Sequence, residues 1–172
     1  YLQGDGAAEY LRGLISGGLP KIDRMNLAYF PDSRGRILTE MSVMRHGDDD
    51  FTLITAGAAQ LHDFELLARE LPVGVTLKDA TLDYSTLIVT GPKSRDLMGS
   101  LSDGNLSLSW LSVQLATVAG CQAALARVSF AGELGWEIHA SFADMPTIYD
   151  AVLAGGAKPF GMYALNSLRL EK

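Results

Sequence analysis

The chain has 172 residues, of which 48% are hydrophobic and 20% charged, and its 14 basic and 20 acidic side chains give a net charge of −6. This composition is typical of a globular protein and excludes a disordered or fibrous chain. The acidic balance argues against nucleic acid or an anionic membrane as the main partner, and the single cysteine, Cys121, excludes an intrachain disulfide and a cysteine-rich zinc site.

The length favours a single domain with a sizeable core, since a chain of ~150 residues buries roughly 70% of its unfolded surface. No apolar run approaches the ~20 residues that span a bilayer, and no signal peptide is recognisable. We therefore expect a protein of the cytoplasm or of an organelle matrix such as that of mitochondria, with no membrane partner. Because the chain opens at Tyr1 and closes in a helical pattern at Lys172, we expect a piece of a longer protein.

The first half of the chain predicts helices separated by short strands. Apolar residues at helical spacing and glycine or proline at the ends indicate the helices, while alternation between turn-rich segments indicates the strands. The predicted elements are a helix over 4–14, strands over 26–29, 37–45 and 51–55, a helix over 58–70 and a strand over 75–77.

The second half of the chain also predicts short helices separated by strands. The predicted elements are a strand over 85–89, a helix from Gly91 to Leu101, strands over 113–118 and 123–130, a strand over 136–139, a helix over 146–153 and a last helix from Tyr163. The sequence therefore predicts an α+β fold in which short helices alternate with antiparallel hairpins.

Common catalytic motifs are absent from the chain. There is no Gly-x-Gly-x-x-Gly, no Walker phosphate loop, no Gly-x-Ser-x-Gly and no His-Glu-x-x-His, which removes the familiar dinucleotide, nucleotide, serine-hydrolase and zinc-protease classes. The histidines are too few and too scattered for a metal site, so we expect no metal and interpret His46, His62 and His139 as solvent-facing or hydrogen-bonded side chains.

The segment from Arg127 to His139 is the most informative one. A glycine-bracketed turn is expected to join two strands, with apolar rings from Phe130 and Trp136 beside it. Glu137 alternates with Trp136 and Ile138, which places its carboxylate on the opposite face of the sheet. There it could accept two hydrogen bonds from an amidine-like edge such as that of a pterin. The plainer alternative, which the pattern alone favours, is an ordinary polar residue that faces outward from a half-exposed strand.

Asp63 is the second candidate carboxylate. It lies early in the predicted helix over 58–70, just after a strand and the Ala56-Gly57 pair. A helix N-terminus favours an ionised carboxylate, which could stabilise an iminium-like cation or accept a proton. The plainer alternative is a first-turn aspartate that only complements the helix dipole.

Four motifs in order resemble a known family. They are Leu53-Ile54-Thr55-Ala56-Gly57 leading to His62-Asp63, then Gly91-Pro92-Lys93-Ser94-Arg95, then Gly132-Glu133-Leu134-Gly135-Trp136-Glu137, and the closing Ser167-Leu168-Arg169-Leu170-Glu171-Lys172. Over its whole length the chain resembles the glycine-cleavage T-protein (aminomethyltransferase) family. Within that family it is most similar to the folate-binding half of dimethylglycine and sarcosine dehydrogenases.

The resemblance implies a T-protein-like folate-binding fold, in which tetrahydrofolate occupies a central channel and accepts a one-carbon unit from a small methylated amine. By motif position, Asp63 corresponds to the acidic residue that acts on folate and amine, and Glu137 to the carboxylate that anchors the pterin. Arg127, Phe130 and Trp136 are implied to support that site, and Tyr29 to line the channel. The resemblance also implies that residues 1–172 are the central part of the domain, without its amino-terminal portion and carboxy-terminal barrel, and that FAD would belong to a region before Tyr1.

Two positions depart from the family pattern. Ala164-Leu165-Asn166-Ser167 lacks a cation found in the last helix of the aminomethyltransferases, and Phe130 replaces a tyrosine of some folate-dependent oxidases. The expected function is thus one-carbon (aminomethyl or methylene) transfer to tetrahydrofolate in a protein like dimethylglycine or sarcosine dehydrogenase. The alternatives are a T-protein-like aminomethyltransferase, a methyltransferase or demethylase, and a non-catalytic folate-binding module. The sequence leaves the oligomeric state open.

Overall fold

The computed structural model describes every residue from Tyr1 to Lys172, and the chain forms two compact units, Tyr1–Ala80 and Thr81–Lys172. Each unit has its own antiparallel sheet, and all strand pairing stays within a unit. Length alone favoured a single domain. Two units form because each sheet buries one face under its own helices, which closes two separate apolar clusters.

The first unit combines a five-stranded sheet with two helices. Its elements are β1 (Leu2–Gln3), α1 (Ala7–Leu14), β2 (Arg24–Pro31), β3 (Ile37–Gly47), β4 (Asp50–Ile54), one turn of 3-10 helix (Gly57–Ala59), α2 (Gln60–Ala68) and β5 (Thr76–Leu77). The strand order is β2-β3-β4-β1-β5, and every pairing is antiparallel.

Alternation along β2 and β3 determines which face of this sheet is buried. Ala28 and Phe30 on β2 lie opposite Met41 and Thr39 on β3, and these positions turn toward the helices. Leu11 of α1 and Leu67 of α2 pack onto the same apolar cluster. The next residue along each strand therefore points to the other face of the sheet.

The second unit combines a four-stranded sheet with three helices. Its elements are β6 (Tyr84–Thr90), α3 (Ser94–Leu101), β7 (Val113–Val118), β8 (Cys121–Ala126), β9 (Gly135–Ser141), α4 (Met145–Ala154) and α5 (Met162–Glu171). The order is β6-β9-β8-β7, again fully antiparallel. The core is built from one face of the sheet and from Met98 of α3 with Ile148 and Val152 of α4.

The β7–β8 hairpin follows a simple turn rule. Ala119 and Gly120 connect the strands, and both have positive φ, at 50° and 82°. Two consecutive left-handed residues match the right-handed twist of the paired strands, so the register continues directly from Val118 and Cys121.

The predicted α+β arrangement is confirmed, with two differences. The strand predicted over 123–130 ends at Ala126, because β9 pairs with β8 only as far as that residue and the segment 127–134 forms the connection. The two-residue strand β1 lies outside the predicted elements, because it is defined by its pairing with β4 and β5, which no local pattern indicates. None of the five helices has the length and apolarity that crossing a bilayer requires.

Candidate functional site

Asp63 lies in the first turn of α2 and is 1% exposed. Its Oδ2 accepts hydrogen bonds from the hydroxyls of Thr39, at 2.9 Å, and Thr55. Thr39 lies on the helix-facing side of β3, and Thr55 directly follows β4. The sheet thus supplies two hydroxyl donors at the point where its apolar surface ends, and the helix brings the carboxylate to them.

The Asp63 carboxylate is held in its charged form. Burial by itself would raise its pKa, but the hydrogen bonds from Thr55, His62 and Thr39 outweigh that effect and leave the pKa below its ordinary value. At neutral pH the group therefore carries a full negative charge inside the first unit. A carboxylate of this kind is a strong electrostatic stabiliser and a weak proton acceptor.

His62 is the exposed part of this cluster. Its Nδ1 lies 2.8 Å from Asp63 Oδ1, while the His62 side chain is 60% exposed. A carboxylate can only accept, so the proton in this contact belongs to Nδ1. The imidazole thus connects the buried Asp63 carboxylate with the protein surface.

Tyr29 and Asp63 lie on opposite sides of the first sheet. In the β2–β3 register Tyr29 pairs with Glu40, one position away from the Phe30–Thr39 pair that faces α2. Side chains alternate along a strand, so Tyr29 projects from the opposite face of the sheet, where its side chain is partly exposed. If Tyr29 lines a channel, it does so from the face that α2 does not cover.

Glu137 lies in the middle of β9, on the face predicted for it. Trp136 and Ile138 are buried in the core, whereas Glu137 shares the other face with its cross-strand neighbours Ile88 and Ala126. Its side chain is 21% exposed. The neighbouring Ala126 side chain on this face is small and fully buried.

Two residues that the sequence analysis did not assign to the site accompany Glu137. His139 Nε2 lies 3.3 Å from Glu137 Oε2, and His139 Nδ1 lies 2.9 Å from Thr86 Oγ1. The spacing of Glu137 and His139 at i and i+2 on a strand would have indicated a shared face. Thr86 comes from β6 and becomes evident only from the register that sets it opposite His139.

Trp136 and Arg127 form a pair on the other side of β9. Because side chains alternate along a strand, Trp136 points to the face of the sheet opposite to that of Glu137. Trp136 is 1% exposed, so it supports the strand from within the core and offers no face to a ligand. The Arg127 guanidinium lies 5.5 Å from the centre of the indole ring and donates to the Gly135 carbonyl at 3.2 Å. Burial, followed by repulsion from Arg95, lowers the pKa of Arg127.

Phe130 lies in the connection between β8 and β9, and its ring is partly exposed. The Arg169 guanidinium of α5 lies 5.4 Å from the centre of that ring. Lys172 Nζ also approaches the Ser129 carbonyl, at 3.5 Å. The end of α5 therefore packs on the connection that carries Phe130.

The structure offers little for other kinds of site. No group of three or more His, Cys, Asp or Glu side chains is arranged to hold a metal ion. Burial and the nearby Asp144 raise the pKa of Cys121, which keeps its thiol protonated. A groove of about 890 Å³ in the second unit lies between β6, α3 and α4, and none of the six predicted site residues lines it.

The chain is similar in sequence to a known protein family. The family model of the GCVT N-terminal domain matches residues 1–172. The mitochondrial dimethylglycine dehydrogenase of Homo sapiens is 30% identical, over 99% of this chain and 21% of its own length. An aminomethyltransferase of Listeria innocua is 28% identical, over 99% of this chain and 48% of its own. The chain thus spans about a fifth of the length of the dehydrogenase and about half of the length of the aminomethyltransferase.

Solved structures share the fold. The glycine cleavage system aminomethyltransferase T from Bartonella henselae superposes with a TM-score of 0.84 at 21% identity, over 99% of this chain and 47% of its own. The heterotetrameric sarcosine oxidase from Corynebacterium sp. U-96 superposes with a TM-score of 0.65 at 17% identity, over 93% of this chain and 81% of the matched chain. The predicted T-protein-like α+β fold is confirmed.

Proposed function

The chain belongs to the family of the GCVT N-terminal domain, and from this premise we propose that it forms the central part of a tetrahydrofolate-dependent one-carbon transfer domain, in a protein of the dimethylglycine or sarcosine dehydrogenase kind. Its partners would be a folate and a small methylated amine. The proposal rests on the family match over the whole chain and on one structural observation, the Glu137 carboxylate, which is 21% exposed on the face of β9 that points away from the core.

Glu137 fits the recognition of a pterin. The amidine-like edge of a pterin presents two N–H donors side by side, and a carboxylate accepts such a pair with both oxygens. Glu137 lies beside the small Ala126 side chain on its sheet face, and Trp136 fixes the strand from the core. Glu137 would therefore anchor and orient the folate, with Phe130 offering an apolar ring surface nearby in the chain.

Asp63 would supply charge. Three hydrogen bonds keep its carboxylate ionised, so it stabilises positive charge that develops on an amine as the one-carbon unit is transferred. Of the two roles expected for Asp63, electrostatic stabilisation fits the lowered pKa better than proton abstraction. Tetrahydrofolate, when bound, supplies the nitrogen nucleophile that receives the carbon.

The remaining assignments follow from the same proposal. Arg127 would hold the segment around Gly135 in place, and Tyr29 would line the channel from the uncovered face of the first sheet. No residue of this chain is assigned to FAD, which we place outside residues 1–172. We propose the cytoplasm or the mitochondrial matrix as the location, since the human relative is a mitochondrial dimethylglycine dehydrogenase.

An aminomethyltransferase of the T-protein type is the second candidate, because a bacterial enzyme of that name aligns over 99% of the chain. The two candidates share the folate site and differ in the donor. Assaying the complete protein with dimethylglycine or sarcosine and with an aminomethylated carrier protein separates them. One-carbon transfer from the free methylated amine favours the first candidate, and transfer only from the carrier favours the second.

The proposed site is tested by folate binding in the complete protein. We expect Glu137→Ala to weaken tetrahydrofolate binding at least tenfold, because a bidentate charge-assisted contact is lost. Glu133→Ala is the matched control, since that exposed residue lies in the neighbouring turn and only its carbonyl accepts a hydrogen bond, from Ser129. Equal affinity in wild type and Glu137→Ala would remove the anchor role, and absence of tetrahydrofolate binding in the wild type would remove the proposed function.

A further inference from the structure

Thr86, His139 and Glu137 line up on one face of the second sheet. Thr86 of β6 is the direct cross-strand neighbour of His139, and Glu137 precedes His139 by two residues on β9. Thr86 Oγ1 lies 2.9 Å from His139 Nδ1, and His139 Nε2 lies 3.3 Å from Glu137 Oε2. The imidazole therefore lies between a hydroxyl, which it contacts by a hydrogen bond, and the carboxylate that we propose as the pterin anchor.

The chemistry of the three groups fixes the direction of this chain. An ionised carboxylate only accepts hydrogen bonds, so the imidazole nitrogen that faces it must carry a proton. A neutral imidazole with its proton on Nε2 has a lone pair on Nδ1, which accepts from the Thr86 hydroxyl. With this tautomer the hydroxyl donates to Nδ1, and the Nε2–H lies near Glu137 Oε2 without being aligned for a hydrogen bond.

The His139 imidazole is largely buried, which makes its unpaired Nε2 energetically unfavourable. The His139 side chain is only 12% exposed, and its Nε2 is buried with no aligned hydrogen-bond partner. Leaving a buried N–H unsatisfied is costly, and Glu137 is the acceptor within reach. A small rotation of the Glu137 carboxylate would complete the bond, so His139 favours those carboxylate orientations in which Oε2 turns toward it.

We propose that His139, oriented by Thr86, is a positioning residue that fixes the Glu137 carboxylate for ligand recognition. With one lone pair of Oε2 directed at His139, the rest of the carboxylate is presented to a ligand edge that carries two adjacent N–H donors. This inference rests on the proposed function, because the ligand edge is that of a pterin. Without His139, the glutamate side chain would sample several rotamers and lose that preorganisation.

The experiment measures dissociation constants in the complete protein for tetrahydrofolate and for its 2-desamino analogue, which lacks one of the two donors. We expect His139→Phe to weaken tetrahydrofolate binding about tenfold and to change the affinity for the analogue less than about twofold. His139→Gln is the conservative variant, because its amide N–H reaches the position of Nε2–H; it should restore affinity to within about threefold of wild type. Thr86→Val should weaken binding about threefold, and Thr86→Ser should match wild type.

A purely structural role of His139 gives a different pattern. It would weaken both ligands to the same extent, and it would do so equally in a Glu137→Ala background, where our inference expects His139→Phe to have no further effect. Either result overturns the inference, as does unchanged affinity in His139→Phe. Wild-type protein that binds no tetrahydrofolate overturns the proposed function itself, whereas wild-type binding with unaffected His139 variants overturns only the positioning role.

Discussion

The hydroxyl of Thr39, on the helix-facing side of β3, donates a 2.9 Å hydrogen bond to the carboxylate of Asp63 in the first turn of α2. Thr55 and His62 supply the other two hydrogen bonds to this carboxylate. Two hydroxyl groups and one imidazole, and no lysine or arginine, therefore contact the buried negative charge. Under the proposed function, a charge held in this way would stabilise a cationic ligand, with the His62 imidazole as its one ionisable neighbour.

Removing one of these donors should raise the pKa of Asp63 and weaken the first unit. We expect Thr39→Val to destabilise it by about 1–2 kcal/mol, since a buried charged acceptor loses a partner. The measurement is hydrogen exchange of α2 peptides in the complete protein. Thr39→Ser keeps the hydroxyl and is the matched control, so equal exchange in the Val and Ser variants would contradict the prediction.

Asp63 should also make stability depend on acidity. Its pKa is lowered in the folded protein, so its contribution is fully present above the ordinary aspartate pKa of about 3.9 and is lost as the pH falls through the folded-state value. Asp63→Asn removes this dependence. The difference in protection of α2 between wild type and Asp63→Asn should be largest near pH 7 and shrink below about pH 4.

A difference that grows as the pH falls would contradict the assignment of Asp63 as an ionised buried group. Asp48→Asn serves as the control at pH 7. The Asp48 side chain is 92% exposed, so this change should leave the protection of α2 within about 0.5 kcal/mol of wild type.

The structure shows why the fold could be predicted in outline. Helices such as α4 and the β7–β8 hairpin carry local patterns, namely apolar residues at regular spacing and turn residues at their ends. The strand over 123–130 was predicted too long because Val128 and Phe130 alternate with polar residues after Ala126, as in a strand with one buried face. Only the pairing with β9, a tertiary feature, ends the strand.

The candidate site could be predicted only in part. Strand alternation correctly placed Glu137 and Trp136 on different faces of the sheet. The same rule should have removed Trp136 from the ligand-contacting residues, because the face that does not carry Glu137 packs into the core. Thr86 could not be found, since it lies 53 residues from its partner His139 and no local pattern links the two.

Arg127 and Trp136 should be energetically coupled. We expect Arg127→Met to lower stability by about 1 kcal/mol, because it removes the cation over the indole ring and the donor to the Gly135 carbonyl. A double-mutant cycle with Trp136→Leu, followed by thermal unfolding of the complete protein, should give a coupling of about 0.5–2 kcal/mol. Arg34→Met, at an exposed position of the β2–β3 turn, is the control. Additive effects of the Arg127 and Trp136 changes would contradict the contact.

Gly4 should tolerate no side chain. Its φ is 110°, and an added Cβ would lie 2.1 Å from the Gly74 carbonyl oxygen. Gly4→Ala should therefore destabilise the protein by more than about 2 kcal/mol. Gly13→Ala is the matched change within α1, where a Cβ meets no neighbour; it should stabilise by about 0.5–1 kcal/mol. Thermal unfolding midpoints that shift in the same direction for both variants would contradict this account.

The division of the strands between two sheets has a consequence for biosynthesis. Every strand partner of the first sheet is encoded before Ala80, but β1 obtains its second neighbour only when Thr76 and Leu77 have left the ribosome. The first sheet can thus close while β6 to β9 are still being translated, and Asp63 can reach its threonine partners at that stage. Glu137 and His139 acquire their shared surface only after a second, later folding event. A ribosome stalled shortly after residue 80 has emerged would therefore carry a nascent chain with the buried carboxylate already formed and the proposed folate anchor still missing.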